Sequence, residues 1–216
     1  KIYMNSKQNF FLKLLAAILI CEAGLFVTSC STARNLNELD SFSEPQEEQK
    51  KILRTIYSAG IKNAESLYKF FIAKCPDGNK AKAKKIAKLY ITECQTEGIN
   101  SDIAFVQMCL ETNYLRYGNL VTKDKNNFCG LGAIDKNNPG LKFKSMKEGV
   151  RAHIQHLHAY GTTEDIPLKN ELVDPRYKFV KPRGKATDIF GLAGTWAADK
   201  EYGAKLDRLL SELEEF

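Results

Sequence analysis

The spacing of apolar and polar residues predicts a mainly helical chain. Apolar side chains recur every three or four positions in most of the predicted helices, which is the period of an amphipathic helix. Turn-forming residues end two of them: Pro76-Asp77-Gly78 follows the second, and Gly98 follows the third. The predicted helices cover about residues 45–58, 63–74, 80–97, 101–114, 145–160, 187–197 and 199–214.

The fourth predicted helix differs from the others because it has almost no polar face. Residues 103–110 are apolar with one exception, Gln107, and Glu111 follows directly. A helix that is apolar on nearly every side is buried in a protein core. Gln107 and Glu111 are four residues apart, so they lie along one line of the helix surface.

Residues 117–144 lose the helical period. Glycine, asparagine and proline interrupt short apolar pieces, which predicts a small lobe of turns and short strands. Ser145 and Glu148 form a capping-box pattern that restarts the helical chain. The predicted fold class is therefore α+β and mostly α, with a helical body and a small β/turn lobe.

The first thirty residues have the pattern of a secretory signal. Lysines precede an apolar stretch at residues 10–27, which is interrupted too often for a membrane-spanning helix. Val27-Thr28-Ser29-Cys30-Ser31 resembles a bacterial lipobox, whose cysteine is lipidated, and an ordinary signal peptide with a coincidental cysteine is the alternative. We expect a signal peptide at 1–30 with lipidation at Cys30, a polar tether at 31–48 and one domain at 49–216. Such a protein is exported and held by its lipid anchor at a membrane, facing the periplasm or cell envelope.

Charge and composition narrow the range of partners. The sequence has 32 basic and 26 acidic residues, for a net charge of +6, and these charges are spread along the chain. This dispersed excess does not indicate a nucleic-acid-binding protein. Four cysteines follow the tether, and they allow three disulfide pairings between which the sequence does not choose. These are Cys75, Cys94, Cys109 and Cys129.

Three histidines lie close together in the sequence, at His153, His156 and His158. They do not form the His-Glu-x-x-His pattern of a zinc hydrolase, and His158 falls on a different helix face from the other two. Packed or surface histidines are the simpler interpretation, so we expect neither a metal nor a cofactor.

Glu111 is the candidate catalytic residue. A carboxylate near the C-terminal end of a buried helix loses hydration and meets the negative end of the helix dipole, and both effects raise its pKa. A glycosidase needs such an environment for the general acid that protonates the leaving oxygen. The alternative is that Glu111 lies at a fraying helix end and faces water.

Several motifs together resemble the glucosaminidase family, glycoside hydrolase family 73. Residues 102–113, a helix ending in Glu-Thr, precede a short segment at 127–133 that begins with asparagine and contains glycine. Further similar runs occur in family order at 148–153, 174–178 and 196–206, so the resemblance covers about residues 88–216. It implies a lysozyme-like domain that cleaves peptidoglycan glycan strands as an endo-β-N-acetylglucosaminidase, with Glu111 as general acid.

The second catalytic group is open at this point. Many relatives place an acidic residue in the small lobe, where this chain offers mainly Asp135, with Asp124 further back. Either aspartate could instead be a turn residue. In that case the 2-acetamido group of the substrate itself could attack the sugar carbon.

The resemblance also suggests residues that bind the glycan. Family members often have a tyrosine where this chain has Trp196, whose indole could stack on a sugar while Tyr202 supplies a hydroxyl; core packing is the alternative for both. Gly130 would admit close approach of the glycan. The predicted substrate-binding residues are Gln107, Asn127, Phe128, Gly130, Trp196 and Tyr202.

Two other functions fit the same pattern. A lytic transglycosylase uses a single acid and lets the muramic 6-hydroxyl attack. A non-catalytic peptidoglycan-binding lipoprotein would keep the groove only to hold the glycan.

Overall fold

The computed structural model describes residues 51–216, so the predicted signal peptide, Cys30 and the polar tether lie outside the described residues. Within this part the chain forms five α-helices joined by loops and three short 3-10 turns. The mostly helical fold class is confirmed. The helices are α1 (Ala64–Lys74), α2 (Lys80–Glu97), α3 (Ser101–Glu111), α4 (Met146–Gly161) and α5 (Tyr202–Leu213).

Polar residues at the helix ends explain why these boundaries agree with the sequence. Asn63, Asn79 and Asn100 precede α1, α2 and α3, and each side chain accepts hydrogen bonds from amides of the first turn. Ser145 accepts from the amide of Glu148 at 3.1 Å. The Glu148 carboxylate accepts from the amide of Lys144 at 2.8 Å, one residue before the position that a regular capping box uses.

α3 lies in the middle of the helical body. It packs against α1, α2, α4 and α5, and each of its residues from Ser101 to Cys109 is buried. Each large apolar side chain buried this way contributes about 1.5–3 kcal/mol to stability. The predicted burial of this helix is confirmed, and it places Glu111, the last helical residue, where the core meets the surface.

Two of the predicted helices are wrong. In the described part of residues 45–58, Thr55 forms a single antiparallel bridge with Asp188, and the amide of Ile56 donates to the carbonyl of Thr187 at 2.9 Å. Of residues 187–197, only Phe190–Leu192 forms a short 3-10 turn. The two segments satisfy each other's backbone groups, and this long-range pairing replaces the helical hydrogen bonds that their apolar spacing favours.

The small lobe is made of turns, with less strand than the sequence predicts. Within residues 117–144, β pairing is limited to one isolated bridge between Ala133 and Pro139. The buried Asn127 side chain holds the lobe together, because its amide donates to the carbonyl of Leu131 at 2.8 Å and its oxygen accepts from the Leu131 amide at 2.9 Å. Gly149 of α4 packs directly on this lobe, since a Cβ there would lie 1.7 Å from the carbonyl oxygen of Asn126. This contact fixes the lobe against the first part of α4.

The four cysteines of the helical domain are buried free thiols, so none of the three possible pairings is formed. Cys109 is completely buried in the core, as its apolar neighbours in the sequence suggest. Among residues 51–216, no helix combines the length and the apolar character that a membrane crossing requires.

Candidate active site

Glu111 borders a surface cavity of about 330 Å³ at the end of α3. The walls come from the turn after α3, from the small lobe and from the loop before α5. Gly130 and Ala133 form part of one wall, and Trp196 and Ala197 form part of another. Three separate parts of the chain therefore enclose the carboxyl group at the end of the buried helix.

The two oxygens of the Glu111 carboxyl group have different environments. Oε1 accepts a hydrogen bond from the indole Nε1 of Trp196 at 3.1 Å and a second from the hydroxyl of Tyr202. Oε2 lies on the side of Gly130, where an added Cβ would be 3.8 Å away. Because both donors occupy Oε1, Oε2 is the oxygen that holds the proton of the neutral acid. In the neutral form, the proton is thus on the oxygen nearer to the glycine wall of the cavity.

Burial raises the pKa of Glu111 above its ordinary value. The hydrogen bonds from Tyr202 and Trp196 oppose part of this effect, because they stabilise the ionised form. The side chain is half-buried and borders the cavity, which is the position that a proton donor to a bound ligand needs.

A chain of buried hydrogen bonds connects Glu111 to the interior. The amide nitrogen of Gln107 donates to the Tyr202 hydroxyl at 2.9 Å, and the amide oxygen of Gln107 lies 3.0 Å from Nε2 of His153. Nδ1 of His153 lies 2.8 Å from the hydroxyl of Tyr90. Desolvation by burial lowers the pKa of His153 to about 3, so the imidazole is neutral. Because Nε2 faces the amide oxygen of Gln107, which can only accept, the single hydrogen of the imidazole is on Nε2.

Every bond in this chain therefore points the same way. Tyr90 donates to His153, His153 donates to Gln107, and Gln107 donates to Tyr202. The oxygen of Tyr202 receives a hydrogen from Gln107, so its own hydrogen is directed to Glu111. This series of hydrogen bonds thus keeps the Tyr202 hydroxyl as a donor to Oε1 of Glu111.

Three of the predicted substrate-binding residues lie away from the cavity. Gln107, Asn127 and Phe128 are completely buried, and none of them lines the cavity. Gln107 is one helical turn deeper in the core than Glu111, so it orients Tyr202 and cannot reach a ligand. Asn127 organises the small lobe, and Phe128 belongs to the hydrophobic core.

Trp196 and Gly130 line the cavity as expected, and Tyr202 lies directly behind Glu111. The ring of Trp196 packs near His156 and Tyr160, with centroid distances of 5.1 and 5.3 Å. Trp196 therefore both packs against core residues and lines the cavity. Its indole N–H provides a hydrogen-bond donor at the position where the family resemblance suggests a tyrosine.

The structure does not bring the predicted second acid to Glu111. Asp135 is exposed, and its carboxylate accepts from the amides of Asn137 and Asn138 at 2.8 Å each, bonds that lower its pKa. Asp124 bonds to Thr122 and Lys142. Among the described residues that line the cavity, Glu111 is the only one with a carboxyl group.

The turn after α3 contributes wall residues that the sequence did not reveal. Asn113, Tyr114, Leu115 and Tyr117 all have positive φ angles, between 47° and 61°. This backbone costs about 1–2 kcal/mol for each non-glycine residue. The turn brings Asn113 and Tyr117 to the cavity. The one signal of this turn in the sequence is the asparagine at position 113, because asparagine tolerates positive φ.

The histidines are engaged in separate contacts. Nδ1 of His156 is 2.7 Å from the carboxylate of Asp174, and Nδ1 of His158 is 3.0 Å from the Tyr177 hydroxyl. Across residues 51–216, no group of three or more His, Cys, Asp or Glu side chains is arranged to hold a metal ion.

Comparison with known proteins agrees with this geometry. Residues 87–215 match the glucosaminidase family, described as mannosyl-glycoprotein endo-β-N-acetylglucosaminidase. A protein of Borreliella burgdorferi, described as an uncharacterized protein, is 40% identical over 169 residues, which are 78% of this chain and 81% of that protein. The family match includes the whole cavity, from Leu110 to Ala197, and therefore Glu111. The chain belongs to the glucosaminidase family and is a glycoside hydrolase.

Proposed function

We propose that this glycoside hydrolase cleaves the glycan strand of peptidoglycan as an endo-β-N-acetylglucosaminidase, with Glu111 as its general acid. The observation that carries the proposal is the carboxyl group of Glu111 at the cavity, with two donors on Oε1 and a free Oε2. Family membership and the raised pKa of Glu111 support it.

In the first step Glu111 transfers the proton on Oε2 to the glycosidic oxygen as the bond to the sugar carbon breaks. Negative charge then develops on the carboxyl group. The hydrogen bonds from Trp196 and Tyr202 to Oε1 become charge-assisted and stabilise that charge.

The attacking group at the sugar carbon is the oxygen of the substrate's own 2-acetamido group. This route fits a cavity in which Glu111 is the one acidic residue among its described lining residues. The acetamido oxygen bonds to the sugar carbon while the leaving alcohol departs with the proton of Glu111. Water then attacks the same carbon as its bond to the acetamido oxygen breaks, which regenerates the 2-acetamido group. The attacking water gives a proton to the Glu111 carboxylate, which restores the acid.

The same single carboxyl group also fits a lytic transglycosylase, which is the second candidate. There the 6-hydroxyl of the muramic sugar attacks its own ring carbon and leaves a 1,6-anhydro end. Mass spectrometry of the digested wall separates the two reactions, because the proposed hydrolase releases fragments with reducing N-acetylglucosamine ends.

The test of the acid is Glu111→Gln, which keeps the shape of the side chain but cannot donate an acidic proton. We expect it to abolish clearing of cell walls in a gel and the release of soluble fragments. Glu65→Gln, a change at an exposed glutamate of α1, is the matched control and should retain full activity. Clearing by Glu111→Gln at the wild-type rate would exclude Glu111 as the acid.

A binding protein without catalysis gives a third pattern of results. In that case wild type and Glu111→Gln would both sediment with purified walls, and neither would release fragments.

We also propose that the enzyme acts from a lipid anchor at Cys30 in the cell envelope. This rests on the lipobox-like sequence at residues 27–31. Metabolic labelling with a radioactive fatty acid should label the wild type and leave Cys30→Ala unlabelled; equal labelling of both would exclude this anchor.

A further inference from the structure

A strongly basic segment lies outside the candidate active site. Residues 176–185 contain five cationic side chains and no acidic one. None of the five forms an ion pair with a carboxylate in residues 51–216, whereas Arg54 and Arg151 elsewhere in the domain do so at 2.6–2.8 Å. The five are Arg176, Lys178, Lys181, Arg183 and Lys185.

Several of these cations lie over aromatic rings. The guanidinium of Arg183 is 4.7 Å from the ring centroid of Tyr177, and the ammonium of Lys178 is 5.4 Å from that of Phe179. Phe179 is 64% exposed, although it is a large apolar residue. Unpaired cations around an exposed aromatic ring suit a partner that has both negative charge and an apolar face.

The same residues form a concave groove. Its volume is about 630 Å³, and we call it the basic groove; its walls include Glu164, Tyr177, Lys178, Phe179, Lys181 and Arg183. Arg183 is held in place, because its guanidinium donates to the hydroxyl of Thr162 at 2.7 Å and to the carbonyl of Thr163 at 3.1 Å. The groove therefore offers one cation held by hydrogen bonds and two exposed cations beside a single carboxylate.

A short series of aromatic contacts connects this segment to the catalytic cavity. The ammonium of Lys185 is 5.0 Å from the ring centroid of Tyr160, which is 5.3 Å from that of Trp196. Trp196 lines the cavity and donates to Glu111. The basic segment and the cavity wall are therefore joined through Tyr160, which is buried.

We propose that the basic groove binds the acidic peptides that branch from the peptidoglycan strand. This proposal rests on the proposed function. These peptides carry several carboxylates and an amino group, and the groove has three cations and one carboxylate, Glu164, to complement them. A concave site with a carboxylate in its wall suits such a peptide better than the phosphate-rich surface of a membrane, which would meet repulsion from Glu164.

The test compares two substrates, intact cell walls and the same glycan strands after an amidase has removed the peptides. In Lys178→Ala/Lys181→Ala two exposed cations of the groove are lost. We expect KM for intact walls to rise about 3- to 10-fold, with kcat and the KM for stripped strands unchanged. The matched control Lys85→Ala/Lys88→Ala removes two exposed cations of α2 and should change neither value.

Two outcomes of this comparison would count against the inference. Equal KM values for the wild type and the groove variant on intact walls would refute it while leaving the proposed hydrolase in place. A groove variant that loses binding to vesicles of phosphatidylglycerol and phosphatidylcholine, with an unchanged ratio of the two KM values, would assign the groove to a membrane.

A direct titration separates this inference from the proposed function. If the wild type cleaved neither substrate, the function would fail, and binding of a synthetic acidic stem tetrapeptide to the full-length protein would still decide the role of the groove. Saturable binding that the groove variant weakens supports it, and equal or absent binding overturns it.

Discussion

Replacing Tyr202 with phenylalanine tests whether the donor on Oε1 assists catalysis. The hydroxyl donates to Glu111 and accepts from Gln107, and the Tyr202 side chain does not line the cavity. Tyr202→Phe therefore removes one hydrogen bond to the acid while leaving the surface that meets the substrate unchanged.

The size of the effect follows from the charge on Glu111. In the proposed mechanism Glu111 is neutral in the ground state, where a hydrogen bond to it contributes about 0.5–1.5 kcal/mol. To the carboxylate that forms during the proposed reaction, the same hydrogen bond contributes about 1.5–3 kcal/mol. The difference of about 1–1.5 kcal/mol is lost only in the transition state. We expect kcat to fall roughly 5- to 10-fold with KM unchanged.

The variant has two further signatures. Removal of a donor to the ionised form raises the pKa of Glu111 further, so the alkaline limb of the kcat profile should move to higher pH. The buried amide nitrogen of Gln107 loses its partner, which costs about 1–3 kcal/mol and lowers Tm by several degrees.

Steady-state kinetics on soluble glycan fragments, well below the Tm of the variant, provide the measurement. Tyr68→Phe, on α1 and outside the cavity, is the control and should keep wild-type kcat and Tm. A variant with normal kcat and raised KM would mean that Tyr202 contacts the substrate, and the argument from transition-state charge would be wrong.

Two more predictions concern Glu111 and the glycine beside it. Because burial raises the pKa of Glu111, its contribution to stability is complete below the pKa of the unfolded chain and is lost as pH rises through the folded value. The Tm of Glu111→Gln relative to wild type should therefore increase as pH rises above the ordinary pKa of a glutamate. A Tm difference independent of pH would contradict this. Gly130→Ala, at a φ of 69°, puts a methyl group 3.8 Å from Oε2 of Glu111 and should reduce activity at least about 10-fold, with Tm lowered by a few degrees. Gly194→Ala is the control: its φ is 74°, and no atom lies within 4 Å of the added Cβ. It should lower Tm by a similar few degrees and keep its activity. Equal activity loss in both glycine variants would point to backbone strain in place of obstruction of the acid.

Local sequence patterns determined most of the helical body. α2 and α4 were predicted to within one residue at each end, because asparagine, serine and glycine at their ends satisfy backbone groups within a few residues of the same chain segment. The apolar run at residues 103–110, interrupted only by Gln107, was sufficient to identify a buried helix. Glu111 could be singled out as the candidate acid for the same reason, since a charged residue ending such a run is costly.

The rest depended on contacts between distant parts of the chain. Residues 51–58 have helical spacing, but the bridge between Thr55 and Asp188 satisfies their backbone in another way. The two donors to Glu111 come from residues 85 and 91 positions later in the sequence. Gln107 was singled out correctly as a polar residue on the Glu111 line of α3, yet its role depends on His153 of α4 and Tyr202 of α5.

The sequence by itself determined which helix is buried and which carboxyl group lies at its end, because helical period, caps and burial are properties of neighbouring residues. Only the tertiary structure decided which oxygen of Glu111 accepts the two hydrogen bonds and how the cavity is enclosed. Those properties depend on the directions of hydrogen bonds between separate elements, and packing alone sets these directions.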